Sequence, residues 1–217
     1  MQLSITVIII IITTLISLGG FSSHKIIDDL IFYPPAVHYR KQWYRFFTCG
    51  LIHADFGHLL FNMLSLYLFG RFVEDKFLLI FGQNGKWFYL AMYITALFIS
   101  LLPTYFKQRN NYAYRSLGAS GAVSAVIFAG LMIAPQIEVF IFFIPIPIPG
   151  FIFAPLYLLI SALLARGAKD NINHSAHIWG AIYGLVFVII AGQLAGYNAI
   201  EEFVTNVRYY LQAKGWL

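Results

Sequence analysis

Six apolar runs, each close to the length needed to cross a bilayer, dominate this chain and leave few ways for it to fold. They lie at roughly 2–20, 57–73, 87–106, 117–134, 151–166 and 174–195. About 20 apolar residues in a helix span the ~30 Å of hydrocarbon. Because lipid offers no hydrogen bonds, a spanning backbone must satisfy itself, so each run is predicted to be a helix. The second and fifth runs are short, and are expected to take length from flanking residues or to sit where the bilayer thins. Composition points the same way, since 60% of the 217 residues are hydrophobic and only 11% are charged, against about 25% charged in a soluble domain. The expected fold class is all-α: a polytopic membrane protein, a bundle of six transmembrane helices, with residues 1–217 forming one domain.

The first run is expected to be retained as a span, not removed as a signal peptide. Residues 1–4 carry no Lys or Arg, and no A-x-A site follows the apolar stretch. The net charge of +5 is modest and the basic residues are dispersed among loops. This suits headgroup anchors and excludes a nucleic-acid footprint. One cysteine, Cys49, rules out an intramolecular disulfide and a multi-cysteine metal site. No metal or organic cofactor is implied.

Three connecting regions stand out. Residues 21–56 form a long mixed segment with Tyr33-Pro34-Pro35 and Trp43-Tyr44-Arg45, the kind of loop that packs on the membrane or serves function. Residues 140–150 end in an Ile-Pro repeat, which forbids a helix and predicts an extended apolar turn between spans four and five. In the tail, 197–217, Phe203, Val207, Tyr210 and Leu211 recur at helical spacing, predicting an amphipathic surface helix with Trp216 as an interfacial anchor.

Polar residues inside the apolar runs carry the chemistry. Ser120 and His177 lie near the starts of spans four and six, and His58 and Asn62 near the start of span two. Antiparallel crossing puts those three starts on one side of the membrane, so all four residues share both side and depth, one or two turns in. Unpaired polar groups in hydrocarbon are costly, so they are expected to face one another or a watered cavity. Ser120 as nucleophile and His177 as base form an activated pair. No carboxylate is evident to orient the histidine, since Asp170 and Asn173 are loop residues, so a dyad is expected. His58 and Asn62, at i and i+4, can donate to an oxyanion from one helix face. Gly118 and Gly121 bracket the serine, and Gly180 and Gly184 form a G-x-x-x-G below His177, so spans four and six are expected to pack closely. An ion path would need broken helices or paired buried carboxylates. A zinc hydrolase using His53, His58, His174 and His177 would want an H-E-x-x-H helix, which is absent.

These motifs resemble the rhomboid family of intramembrane serine proteases over roughly residues 43–194. Gly118-Ala119-Ser120-Gly121 is similar to its G-x-S-G, Ala176-His177-Ile178-Trp179-Gly180 to its A-H-x-x-G, and His58-Leu59-Leu60-Phe61-Asn62 to its H-x-x-x-N. The resemblance implies a serine endopeptidase cleaving transmembrane protein substrates in the lipid bilayer, with Ser120 and His177 catalytic. His58, Asn62 and backbone N–H groups around Gly118 and Ser120 would form the oxyanion hole. Trp43-Tyr44-Arg45 resembles a Trp-Arg pair with one residue inserted, and Gly70-Arg71-Phe72-Val73-Glu74 a Gly-x-x-x-Glu. Both imply structural support, from Arg45 and Glu74. The family often has an aromatic four residues after the nucleophile, where this chain has Ser124. The resemblance further implies substrate access between spans two and five, with residues 166–173 as a mobile cap. The alternative is a non-proteolytic rhomboid-like protein that binds membrane clients, which would be expected to lack Ser120 or His177. Oligomeric state is left open.

Loop charge and resemblance disagree on orientation. Lys25, Arg40, Lys41, Arg45, Lys107, Arg109, Arg115, Arg166 and Lys169 lie on the site side, which the positive-inside rule would place in the cytoplasm. The resemblance places the site outside the cell membrane (plasma or bacterial inner membrane), and this is the orientation expected here.

Overall fold

The computed structural model describes residues 4–141, 144–167 and 172–217. Its apolar runs are helices: α1 (Ile5–Ser22), α5 (Phe56–Phe81), α6 (Gly85–Gln108), α7 (Ser120–Ile133), α8 (Gly150–Gly167) and α9 (His174–Leu194). The long connection after α1 folds into three short helices, α2 (His24–Leu30), α3 (Pro34–Arg40) and α4 (Arg45–Thr48). The tail holds α10 (Ala199–Ala213). The protein is therefore a polytopic helical membrane protein. Helix α7 has 14 residues and reaches only ~21 Å at 1.5 Å per residue, so its first residue lies inside the thickness its longer neighbours span.

α7 is the centre of the bundle. Ala122, Ala125, Val126 and Ala129 are fully buried, and their small size lets α5, α6 and α9 close around them. The tightest contact is with α9. A Cβ added to Gly180 would overlap the Gly121 carbonyl oxygen, and one added to Gly184 would overlap that of Ala125. The G-x-x-x-G thus sets two backbones in direct contact, as small-residue interfaces in membranes do. Gly121 in turn faces Ser100 of α6, whose hydroxyl fills the space a side chain would take.

The second helix runs eight residues beyond the expected 57–73 boundary, because its charged C-terminal half has a structural use. Glu74 is buried and accepts from Ser4 Oγ (2.5 Å), Ile5 N (2.8 Å), Thr6 N (3.1 Å) and Thr6 Oγ1 (2.9 Å). A carboxylate here meets the unpaired N–H groups and the positive end of α1. Arg45, also buried, staples the first loop by donating from Nη1 to the carbonyls of Asp28 and Ile31 (both 2.8 Å) and from Nε to Gln42 Oε1 (2.6 Å).

Between α7 and α8 the chain forms a hairpin of β1 (Glu138–Ile141) and β2 (Ile144–Pro149), with Val139 opposite Ile148 and Phe140 opposite Pro147. Prolines cannot donate, so β2 must draw its ladder donors from Ile146 and Ile148, which puts the prolines' nitrogens on the outer edge. In α10, Phe203, Val207, Tyr210 and Leu211 are half-buried, and Glu138 of the hairpin meets Lys214 (3.6 Å) and Tyr210 (3.4 Å).

Candidate active site

Ser120 is the first residue of α7, on the wall of a cavity of about 790 Å³ also lined by His58, Asn62 and His177. Each arrives there for a local reason. Gly118 takes φ +108°, a conformation other residues resist, and turns the chain into α7. Asn173 caps α9, its Oδ1 accepting from Ala176 N and from Thr104 Oγ1 (each 3.1 Å). That leaves His177 in the first turn, facing α7. Asp55 caps α5 by accepting from the backbone N of His58 (2.8 Å), a cap signal that the sequence carried and that fixes where His58 and Asn62 point.

The central contact is His177 Nε2 to Ser120 Oγ, 2.7 Å. An imidazole at this distance can accept the hydroxyl proton as the oxygen attacks. Helix geometry gives the N–H groups of Ser120 and Gly121 no intrahelical acceptor. Asn62 is buried and donates one amide hydrogen to the His58 carbonyl (2.9 Å), which orients the group and leaves the second hydrogen for the cavity.

Gly118 has a different part from the oxyanion role expected of it. Its N–H donates to Cys49 O (2.9 Å), so it is already engaged. What Gly118 supplies is room, because a Cβ there would lie 2.6 Å from His58 Cε1. The imidazole of His58 rests on this bare backbone. Behind it stands His53, whose ring meets that of His58 edge-on at 4.9 Å. His53 is fully buried and its Nδ1 pairs with Ser17 Oγ (3.0 Å). Burial, with the neighbouring His58, pushes its pKa from 6.5 down to about 3, against a small opposing pull from Asp55.

Ser124 occupies the position where an aromatic was expected from the resemblance. Its hydroxyl pairs with Tyr157 OH (3.1 Å), so an aromatic ring reaches the same cavity from α8 instead. Nothing in the local sequence marks Tyr157, since only the packing of α8 against α7 brings it in. Arg115 also lines the cavity, five residues before Ser120. Of the candidate orienting groups for His177, Asn173 serves as the helix cap and Asp170 lies outside the described residues, as does much of the expected cap at 166–173. Among the described residues no cluster of His, Cys, Asp and Glu could hold a metal ion.

A helical membrane bundle with these polar groups in its interior fits one class of protein. The sequence model described as the Rhomboid domain matches residues 40–194, most of the chain. The protein belongs to the rhomboid family, whose members are generally intramembrane serine proteases. It is 28% identical to the candidate rhomboid protease YdcA of Bacillus subtilis over 70% of this chain and 69% of YdcA. It is 30% identical to the chloroplastic Rhomboid-like protein 11 of Arabidopsis thaliana over 70% of this chain and 53% of that protein. Rhomboid protease AarA of Providencia stuartii is 26% identical over 68% of this chain and 56% of AarA. The chain thus spans little more than half of the latter two relatives.

Proposed function

We propose that this protein, acting as a single rhomboid-like membrane domain, is an intramembrane serine endopeptidase that cleaves transmembrane helices of other proteins. The observation that carries this reading is the 2.7 Å contact between Ser120 Oγ and His177 Nε2, inside a cavity that also holds Asn62 and His58. His177 takes the proton of Ser120 as the hydroxyl attacks the scissile carbonyl. The oxyanion forms within reach of the Asn62 amide, the His58 ring and the N–H groups at the start of α7; one such donor is worth ~10²–10³ in rate. His177 then protonates the leaving amine, and water releases the acyl group by the same route in reverse. Substrate must unwind locally, because a helix engages the carbonyl that Ser120 attacks. The expected setting is a plasma or bacterial inner membrane with the cavity facing outward.

Labelling by a fluorophosphonate in liposomes tests the reading. Wild type should label at Ser120 and cleave a model transmembrane substrate. Ser120→Ala should lose both, and His177→Ala should lose both by at least ~10³-fold. Cleavage that survives Ser120→Ala would overturn the assignment. A folded wild type that binds clients without labelling or cleaving would favour the client-binding alternative.

A further inference from the structure

The charge of this molecule is divided unequally between its two ends. At the ends of α5, α6 and α9–α10 away from the cavity, Arg71, Lys76, Lys86, Arg208 and Lys214 are matched one for one by Glu74, Asp75, Glu138, Glu201 and Glu202. At the cavity end, exposed Lys25, Arg40, Lys41, Lys107, Arg109 and Arg166 face only Asp28, Asp29 and Asp55 among the described acids. The excess positive charge of the chain therefore lies at the end of the bundle where the cavity is. A cleft ringed by one sign of charge over a low-dielectric floor concentrates field lines and attracts the opposite sign.

Arg115, an exposed residue, carries that charge to the wall of the cavity. It lines the cavity with Ser120 and His177, on a segment pinned on both sides. Ser116 exchanges backbone hydrogen bonds with Phe32 (3.0 and 3.1 Å), and Gly118 N donates to Cys49 O. The guanidinium lies 4.9 Å over the Tyr33 ring, a contact that steadies it and leaves its N–H fork without an ion pair among the described residues. The other charged wall residue, Asp55, is engaged as the cap of α5. A held guanidinium without a carboxylate, beside a nucleophile, is suited to a planar, bidentate acid.

We propose that the preferred substrates carry acidic residues in the segment that enters the cavity next to the scissile bond, and that Arg115 is the residue that reads them. The inference rests on the protease reading for its chemistry, but the charge preference itself needs no bond cleavage. The outer cations could also attract anionic lipid headgroups. Arg115 favours substrate, because it shares the wall of one cavity with Ser120 and His177.

The test uses the full chain in phosphatidylcholine vesicles. Three model substrates share one membrane segment and differ only in the cavity-side flank, with Asp, Asn or Lys. At low salt the Asp substrate should be cleaved on the order of 5-fold more efficiently than the Asn substrate, through KM, with the gap shrinking as salt is added. Arg115→Gln should erase the ranking, Arg115→Glu should invert it, and Arg115→Lys, which keeps the charge but not the fork, should keep the order with a smaller gap. Retained fluorophosphonate labelling certifies that each variant is folded. The same ranking should appear in binding of the three substrates to Ser120→Ala, read by fluorescence quenching. No ranking, a ranking untouched in Arg115→Gln and Arg115→Glu, or one that arises only when phosphatidylglycerol is added would overturn the inference. Ranked binding without any cleavage by wild type would instead overturn the protease reading and leave the acidic preference standing.

Discussion

The two helices that flank α7 at the cavity are attached to it in opposite ways. Against α9 there is bare backbone, with Gly180 and Gly184 pressed on the carbonyls of Gly121 and Ala125. Against α8 the described contacts run through side chains: Tyr157, by its hydroxyl contact with Ser124 and its ring 5.4 Å from Phe128, and Leu131 against Gly150. Leu156, Leu159, Ile160 and Leu163 of α8 point away from the protein, and Pro155 removes one backbone hydrogen bond just before Tyr157. One side of the cavity is thus set by direct backbone contact and carries the pair Ser120 and His177, while the other is a cover held through side chains. The difference teaches that the Ser120–His177 contact and the α8 wall of the cavity rest on separate packing, so on the proposed reading α8 is the side where a substrate helix would enter.

Breaking the backbone contact should have the largest effect. Gly184→Val drives a branched side chain into the Ala125 backbone, and overpacking of this kind costs on the order of 3 kcal/mol. Thermal unfolding in detergent should show the loss, and fluorophosphonate labelling should fall by more than ~100-fold as α7 and α9 part. Glu74→Ala should come next. It strands the donors of Ser4, Ile5 and Thr6, a cost of about 2 kcal/mol, yet labelling measured well below the unfolding midpoint should persist because only the first turn of α1, at the other end of the helix from Ser17 and its partner His53, is disturbed. Equal loss of labelling in the two variants would erase the distinction between holding the site and supporting the bundle.

Loosening the cover should act in the other direction. Tyr157→Phe removes one hydrogen bond between α8 and α7, worth about 1 kcal/mol, and should speed cleavage of a transmembrane substrate about 3- to 6-fold. Labelling by a small fluorophosphonate, which needs no helix to move, should stay the same. Slower cleavage would mean that Tyr157 contacts substrate instead. The smallest effect concerns His53. Its folded pKa of about 3 lies below the ordinary 6.5, so the unfolded chain binds the extra proton and stability falls as pH drops through 6.5 toward 3. Between pH 7 and pH 6 the loss should be about 0.7 kcal/mol, visible in unfolding midpoints and reduced in His53→Gln.

Much of this was legible because lipid makes sequence explicit. A serine, an asparagine and two histidines in apolar runs stand out, and the alternation of crossings brings Ser120, Asn62, His58 and His177 to one side. The same logic failed at the end of α5. Arg71, Glu74, Asp75 and Lys76 interrupt the apolar run and made the helix look shorter than Phe56–Phe81, although Glu74 turns inward to cap α1. Gly118 shows another limit. Its G-x-S-G position invites an oxyanion role, but the partner of its N–H is a carbonyl about seventy residues earlier, which no local pattern encodes. Tyr157 was hidden for the same reason, since its part depends on where α8 lies and not on its neighbours in sequence.

The Ile-Pro repeat of β2 has a consequence for how these molecules live together. A membrane confines its proteins at high density, with their exposed segments repeatedly meeting at the same height. A short apolar strand at that height would ordinarily recruit its counterpart on the next molecule, since an unpaired edge is a template. Here the outer edge offers carbonyls but no amide hydrogens, so two copies that meet there find acceptors facing acceptors. That edge can be apolar enough for its surroundings and still be unable to pair with its own counterpart on the next molecule.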